Sequence, residues 1–209
     1  MKTIFIHGFG HRAASWDETI SHMKSGQDVL CPDLPSLLRG REATYQTLYA
    51  SFAEDCDRLG EPLHLCGLSL GGILALHYAS EHPEQVSSLV LIGTPHQIPK
   101  AALALQTVIF RLLPTSAFQT MAFSKQDTLA LSSSMRELEL SGLSQNIQCP
   151  TLILCGEKDR ANLKSARFFS RSIANAALAV VDGAGHALNE DAPQALARLL
   201  DDFYGHIPC

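Results

Sequence analysis

A serine between two glycines is the strongest candidate for chemistry in this chain. Residues 67–71 read Gly-Leu-Ser-Leu-Gly, with Ser69 at the centre. The apolar residues 63–66 before it predict a strand, and residues 73–78 after it predict a helix. A serine in such a strand-to-helix turn is exposed at the edge of a sheet, where the amides of the new helix favour negative charge. The pattern predicts that Ser69 is a nucleophile, the alternative being a tight turn with an incidental serine.

A serine hydroxyl is a weak nucleophile and needs a neighbouring base. Of the nine histidines, His186 has the strongest case, because it follows the last predicted strand in the sequence Gly-Ala-Gly-His. The two glycines allow a loop to turn the imidazole back over the sheet edge. The alternative is a histidine in a surface loop. His7 and His64 lie at the end of a predicted strand or within one, and we expect them to be structural.

The base in turn needs a carboxylate that orients it and stabilises its positive charge. Asp159 is the best candidate, because it follows the fifth predicted strand and should lie on the same sheet edge as Ser69 and His186. Asp182 is too close to the histidine along the chain to face it well. Two carboxylates stay open as alternatives: Glu157, which is nearby, and Asp33, which is more remote.

Cleavage of an acyl bond also requires hydrogen-bond donors for the developing oxyanion. We expect two backbone amides to supply them. One is the amide of Leu70, the residue after the serine. The other is the amide of Phe9, in the glycine-containing loop His-Gly-Phe-Gly at residues 7–10, after the first predicted strand. The alternative for this loop is a plain glycine turn.

The elements around these motifs alternate between strand and helix. Predicted strands cover residues 3–7, 28–31, 63–66, 86–92, 151–155 and 178–181. Predicted helices cover residues 15–23, with Ser15 as the N-cap candidate, and residues 44–59, 73–78, 163–173 and 193–204. The alternation predicts an α/β fold with a doubly wound, mostly parallel sheet of about six strands.

The segment 95–149 contains no predicted strand, and helices are expected over residues 100–113 and 125–140. We expect residues 1–209 to form a single domain in which residues 95–149 are an inserted helical cap over the carboxyl edge of the sheet. The alternative is that these helices belong to the main core. Five apolar residues could line an acyl pocket or form the interior of the cap: Phe110, Leu113, Phe118, Met121 and Phe123.

Composition argues against several classes of partner. The 209-residue chain has a net charge of −5 and no long basic run, which argues against binding to nucleic acid or to an anionic membrane surface. No apolar run approaches the roughly 18 residues of a membrane span, and the first one is too short for a signal peptide, so we expect a cytoplasmic protein. We expect no metal or cofactor, and reduced thiols at all six cysteines: Cys31, Cys56, Cys66, Cys149, Cys155 and Cys209.

Taken together, the motifs resemble the α/β-hydrolase superfamily along the whole chain. Residues 7–10 resemble its oxyanion loop, residues 67–72 its nucleophile elbow and residues 156–159 its acid turn. Pro-Asp-Leu-Pro at residues 32–35 and Gly-His at residues 185–186 resemble two further family segments. The chain is most similar to the small bacterial carboxylesterases, including those that resemble pimeloyl-ACP methyl ester esterase. The resemblance implies an acyl-enzyme formed by Ser69, with His186 and Asp159 completing the triad in the family's chain order.

Three features differ from the family pattern. We expect no counterpart of the first two antiparallel strands, the cap is short, and Ser-Leu-Leu-Arg-Gly at residues 36–40 replaces the usual Gly-His-Gly. A serine stands where haloalkane dehalogenases and epoxide hydrolases have aspartate. This favours hydrolysis of a small or medium carboxylic ester, a small-molecule substrate. The alternatives are hydrolysis of a thioester or a carbon–carbon bond with the same triad, or a non-catalytic receptor on this fold.

Overall fold

A computed structural model describes residues 1–24, 28–98, 100–140 and 142–207. Six strands form one sheet: β1 (Lys2–Ile6), β2 (Asp28–Leu30), β3 (Leu63–Leu68), β4 (Val86–Ile92), β5 (Thr151–Gly156) and β6 (Ala176–Val181). Their order is β2-β1-β3-β4-β5-β6, and every neighbouring pair is parallel. The predicted α/β fold with a parallel sheet of about six strands is confirmed.

Helices cover both faces of this sheet. In the described residues they are α1 (Asp17–His22), α2 (Leu34–Leu37), α3 (Tyr45–Leu59), α4 (Leu70–Glu81), α5 (Lys100–Leu112), α6 (Lys125–Ser134), α7 (Leu163–Ser172), α8 (Leu188–Asp191) and α9 (Pro193–Tyr204). Short 3₁₀ helices occupy Ala13–Trp16, Pro83–Gln85, Thr115–Phe118, Met135–Glu137 and Leu143–Asn146. None of the helices within the described ranges is long and apolar enough to cross a membrane.

The strands are apolar on both sides because two hydrophobic clusters sandwich the sheet. On β1, Ile4 and Ile6 face the cluster that includes α3, α4 and α7, whereas Phe5 faces the cluster formed with α1 and α9. Successive side chains of a strand point to opposite faces, so a strand covered on both sides reads as a continuous apolar run. This is why the central strands could be predicted from short apolar stretches.

The carboxyl ends of the parallel strands meet at one edge of the sheet. The chain runs from β1 to the edge strand β2 and then returns to place β3 on the other side of β1. Ligands of such sheets bind in the crevice where the strand order reverses. The turns after β1 and β3 flank this crevice.

The segment between β4 and β5 lies over the same edge. These two strands are direct neighbours in the sheet, so the helices α5 and α6 form an excursion between them. The excursion packs on the loop after β1, because the ring of Phe9 stacks on that of Phe110 with centroids 6.1 Å apart and contacts Phe123. Arg12 also donates a hydrogen bond of 2.8 Å to the carbonyl of Met121.

Two predicted helix boundaries are wrong. Ser15 is not an N-cap but lies inside a 3₁₀ turn, where its carbonyl and hydroxyl accept hydrogen bonds from the side chain of Asn189. The helix predicted to reach residue 140 ends at Ser134. The hydroxyl of that serine bonds the carbonyl of Leu131 and accepts the amide of Tyr45, a local alternative to further helical bonding.

Five cysteines are free thiols. Cys56, Cys66, Cys149 and Cys155 are buried, and Cys31 is half-buried. Burial raises the pKa of the Cys149 and Cys155 thiols to about 11, so both are uncharged packing groups at neutral pH. The sixth cysteine, Cys209, lies outside the described residues.

Replacing a leucine by alanine should destabilise the protein strongly in the sheet and hardly at all on α5. Leu65 on β3 is fully buried, whereas Leu105 is 63% exposed. Leu65→Ala should lower the free energy of unfolding by about 2–5 kcal/mol through lost burial and a cavity. Leu105→Ala should change it by no more than about 0.5 kcal/mol. Urea denaturation followed by circular dichroism measures both, and equal losses would contradict this assignment of the core.

Candidate active site

The turn at Ser69 is strained, and close backbone packing enforces the strain. Ser69 has φ 54° and ψ −111°, a backbone conformation with positive φ that residues other than glycine rarely adopt. A Cβ on Gly71 would overlap the carbonyl oxygen of Ile6, and one on Gly67 would overlap the carbonyl of Gly71. Only glycine allows β1, β3 and α4 to approach this closely. The sharp turn places the serine at the carboxyl edge of the sheet.

Ser69 is anchored on both sides. Its amide donates a hydrogen bond of 2.8 Å to the carbonyl of Ile92 at the end of β4, and its own carbonyl accepts the amide of Ile73 in α4. The helix begins at Leu70, so amides of its first turn point toward the region around the serine. Such amides stabilise negative charge that develops there.

His186 and Asp159 form a close pair. His186 Nδ1 lies 2.7 Å from Asp159 Oδ2, with the aspartate side chain 5% exposed and the histidine side chain 42% exposed. Burial works to raise the pKa of Asp159. The hydrogen bonds from His186 and Asn162 outweigh it, and the pKa falls below its ordinary value. The carboxylate is therefore charged at neutral pH and can hold the imidazole in one orientation.

Asn162 was not singled out by sequence reasoning. Its Nδ2 donates to both carboxylate oxygens of Asp159, at 3.0 and 2.9 Å, and lies 3.3 Å from His186 Nδ1. A carboxylate that is almost fully enclosed needs donors for its remaining lone pairs. The only available signal was the position of Asn162 three residues after the acid, which is common to many turns.

The turn that carries the acid and the loop that carries the histidine are packed as one unit. The amide of Lys158 bonds the carbonyl of Ala184, and a Cβ on Gly156 would overlap the carbonyl oxygen of Gly185. The side chain of Glu157, the nearest alternative acid, accepts the amide of Gly183 instead of facing the histidine.

Gly93, at the end of β4, is a second residue that sequence reasoning missed. It has φ 52°, and a Cβ built on it would lie 2.9 Å from His186 Nδ1 and 3.2 Å from Asp159 Oδ2. Its lack of a side chain makes room for the histidine–aspartate pair. The signal was a glycine directly after a predicted strand, as at the other site loops.

The loop after β1 lies against the serine. A Cβ on Gly8 would come within 3.5 Å of Ser69 Cβ, which places the adjacent Phe9 beside the nucleophile candidate. The fully buried His7 holds this loop in place through both ring nitrogens. Its Nδ1–H donates to the carbonyl of Gly8 at 2.8 Å, and its Nε2 accepts the amide of Leu34 at 3.0 Å. Asp33, another alternative acid, lies 3.7 Å from His7 Nε2.

Two cavities meet at Ser69. A mainly apolar one of about 160 Å³ is lined by Phe9, Ser69, Leu70, Ile73, Pro95, Ile98, Leu103, Gln106, Ser132 and Met135. A second of about 230 Å³ contains both Ser69 and His186, together with Gly8, Phe9, Gly10, His11, Gln106, Phe110 and Met121. The histidine and serine therefore face a common space. The nearby His11, which sequence reasoning did not select, has its Nε2 3.5 Å from Glu190 Oε1.

The five apolar residues named from the excursion divide between the two predicted roles. Phe110 and Met121 line the cavity with Ser69. Phe118 and Phe123 are buried inside the excursion, and Leu113 lines neither cavity. In the parts of the chain that the structure describes, no group of three or more His, Cys, Asp or Glu side chains could hold a metal ion.

Comparison with known proteins agrees with the fold. The profile of the alpha/beta hydrolase family matches residues 3–199. The chain belongs to the alpha/beta hydrolase family. Membership confirms the resemblance predicted from the motifs, and with it the prediction of a hydrolase.

Two curated relatives of this hydrolase are named for activity on esters. It is 22% identical to the monoacylglycerol lipase ABHD6 of Homo sapiens over 258 residues, which cover 98% of this chain and 75% of the lipase. It is 36% identical to a pimeloyl-[acyl-carrier protein] methyl ester esterase of Aromatoleum aromaticum over 91 residues, 44% of this chain and 36% of the esterase.

Solved structures agree on the fold. A thermophilic esterase from Thermogutta terrifontis matches with a TM-score of 0.83 and 19% identity over 99% of this chain and 90% of its own. The enol-lactonase from Burkholderia xenovorans matches with a TM-score of 0.84 and 17% identity over 98% and 92%. At these identities the likeness concerns the fold alone.

Burial of His7 should make the stability of the hydrolase depend on pH. Burial lowers the pKa of His7. Protonation of Nε2 would also remove the acceptor of the Leu34 amide. The unfolded chain takes up the proton below about pH 6.5 and the folded chain does not, so stability should decrease as the pH falls below that value.

The variant His7→Gln isolates this effect, because its side-chain oxygen can accept the Leu34 amide and does not titrate. Unfolding by urea at pH 8.0 and pH 5.5 gives the loss of stability for each protein. The loss should be smaller in the variant, and identical losses would show that His7 does not resist protonation.

Proposed function

We propose that this hydrolase cleaves a small or medium carboxylic ester through an acyl-enzyme formed on Ser69. His186 is the base and Asp159 orients it. The observation that carries the proposal is that the strained serine and His186 border one cavity, while His186 lies 2.7 Å from a buried aspartate. A nucleophile beside a base that is held by a third group is the arrangement required for acyl transfer.

In the first half of the reaction, Ser69 Oγ attacks the ester carbonyl while His186 Nε2 takes its proton. The hydrogen bond to Asp159 keeps the other ring proton on Nδ1, so that Nε2 is free to act as acceptor. The charged carboxylate then stabilises the imidazolium that forms. Because the pKa of Asp159 is lowered, this support persists throughout the neutral range.

The backbone amides of Phe9 and Leu70 donate hydrogen bonds to the negatively charged oxygen of the tetrahedral intermediate. The loop of Phe9 abuts Ser69, and the amide of Leu70 starts α4. Donors fixed by the fold stabilise an oxyanion without reorganising during the reaction. The proton on His186 passes to the leaving alcohol, and a water molecule then releases the acid by the same steps.

We further propose that residues 95–149 act as a cap that encloses the acyl group within a single domain. The apolar cavity lies between the serine turn and the excursion, with Leu103 and Met135 contributed by the latter. Its apolar walls suit an acyl chain of small or medium size. Thioester hydrolysis uses every one of these groups in the same roles, whereas a receptor would not need the strained serine.

A fluorophosphonate probe tests the nucleophile. It should label Ser69, and Ser69→Ala should abolish labelling and reduce hydrolysis of p-nitrophenyl butyrate by at least roughly a thousandfold. Ser132 lines the same apolar cavity and is the matched control. Ser132→Ala should keep the label and most of the activity. Full activity of folded Ser69→Ala would exclude the proposed role.

The role of Gly93 can be separated from its backbone conformation. Gly93→Ala should lower kcat for the same ester by about a hundredfold, since a displaced base is costly. Gly60, at the end of α3, has a comparable φ of 65°, but a Cβ at this position would meet no other atom within 4 Å. Because of its positive φ, Gly60→Ala should lower the free energy of unfolding by about 1–2 kcal/mol. Because its Cβ meets no other atom, the activity should hardly change.

Circular dichroism melts and ester kinetics on the two variants provide the comparison. If both lose activity equally, the space beside His186 is not the reason that position 93 requires glycine.

A further inference from the structure

A basic groove of about 550 Å³ lies beside the candidate active site, between α7 and the segment after β4. It is separate from the two cavities at Ser69. Three cations of α7 and three other side chains line it: Lys164, Arg167, Arg171, His96, Phe168 and Ser172. The cations are spaced at i, i+3 and i+7, which places them along one face of the helix.

These cations lack partners of opposite charge. Within the described ranges, no carboxylate lies within ion-pair distance of Lys164, Arg167 or Arg171, whereas Arg58 on α3 pairs with Asp55 at 2.6 Å. Residues 160–181 contain four Lys or Arg and no Asp or Glu, in a chain whose net charge is −5. A local excess of positive charge in a concave surface attracts anions.

The groove also contains an aromatic pair, formed by His96 of the segment after β4 and Phe168 of α7. The rings of His96 and Phe168 lie 4.6 Å apart at 30°, and His96 Nδ1 is 2.8 Å from Ser165 Oγ. Burial lowers the pKa of His96, so the positive charge of the groove comes from its lysine and arginines. An anion with a planar ring would find both cations and a stacking surface.

Both walls of the groove continue from residues that contact the His186–Asp159 pair. Gly93 packs against that pair, and three residues later the chain reaches His96. Asn162 bonds Asp159, and two residues later comes Lys164. Three residues span at most about 11 Å, so the groove begins close to the base. Pro95, next to His96, lines the apolar cavity at Ser69.

We propose that this groove binds the phosphate groups of a phosphorylated thiol, and that the site at Ser69 cleaves the acyl thioester of that thiol. Arginine forks match phosphate oxygens, and an adjacent base is the group that must protonate a leaving group. The acyl chain occupies the apolar cavity and the anionic thiol extends past His186 into the groove. The inference rests on the proposed function, because it uses the same acyl-enzyme.

The reaction is a hydrolysis that needs only water as co-reactant. Ser69 Oγ forms a bond to the thioester carbon, the carbon–sulfur bond breaks, and His186 passes the serine proton to the sulfur. Water then attacks the acyl-enzyme and gives a proton to His186. The carbon–Oγ bond breaks, Ser69 recovers its proton, and a carboxylic acid and a free thiol leave.

Three substrates with one acyl group test the inference on the intact protein. Butyryl-coenzyme A carries phosphates, S-butyryl-N-acetylcysteamine is a neutral thioester, and p-nitrophenyl butyrate is a neutral ester. The value of kcat/KM for butyryl-coenzyme A should exceed that for the neutral thioester by at least about tenfold. The advantage should shrink as salt rises from 0.05 to about 0.5 M, because exposed charges are screened.

Charge-reversal variants locate the effect. Arg167→Glu and Arg171→Glu should each raise KM for butyryl-coenzyme A by about five- to tenfold and leave both neutral substrates unchanged. Arg198→Glu makes the same change in net charge on α9, which packs on the opposite face of the sheet, and should alter none of the three. Equal effects in all three variants would overturn the inference.

Direct binding separates this inference from the proposed function. Calorimetry should detect coenzyme A binding to the wild type and to Arg198→Glu, with weakening in Arg167→Glu and Arg171→Glu. Cleavage of p-nitrophenyl butyrate without any preference for butyryl-coenzyme A overturns the groove's role and leaves the proposed function intact. Binding of coenzyme A without cleavage of any substrate supports the groove as a binding site, and overturns both the proposed function and the thioester cleavage.

Discussion

The contact between Gly71 and the carbonyl of Ile6 is the constraint on which the rest of the site depends. It brings the end of β1 against the first turn of α4, with no side chain between the two backbones. Ser69 must then turn in a left-handed conformation, which costs of order 1–3 kcal/mol. Burial along α4 offsets this cost, since ten of its twelve residues are buried. The helix cannot retreat from the sheet, so the half-buried serine stays at the carboxyl edge.

The same shortage of space governs the histidine and its acid. Asp159 is charged in an enclosed place, which is tolerable only because His186 and Asn162 supply hydrogen bonds to its oxygens. Room for this arrangement comes from Gly93 on one side and from Gly156 on the other. Glycines at successive strand ends therefore do more than permit turns. They let three loops from different parts of the chain occupy one small volume.

The strand ends and the family motifs could be predicted from sequence because both are local patterns. A strand covered on two faces is an apolar run, and a loop at its end that must approach another backbone contains glycine. What sequence could not supply were contacts across long separations: Asn189 with Ser15, Tyr45 with Ser134, and the place of Gly93 beside His186. The roles of Ser69, His186, Asp159, Phe9 and Leu70 stay predictions that this geometry supports.

The two members of the histidine–aspartate pair differ in their exposure to solvent. Asp159 is 5% exposed and His186 is 42% exposed, so the pair runs from the interior to the surface. In the proposed reaction an apolar acyl chain gains most in the cavity that Leu70, Ile73 and Met135 help to line. A charged leaving group would lose its hydration there without compensation. The proposed reaction therefore places the scissile bond at Ser69 with the polar portion of the substrate toward His186, and Asn162, which bonds Asp159 beside that histidine, is two residues from Lys164 in the cationic groove of α7.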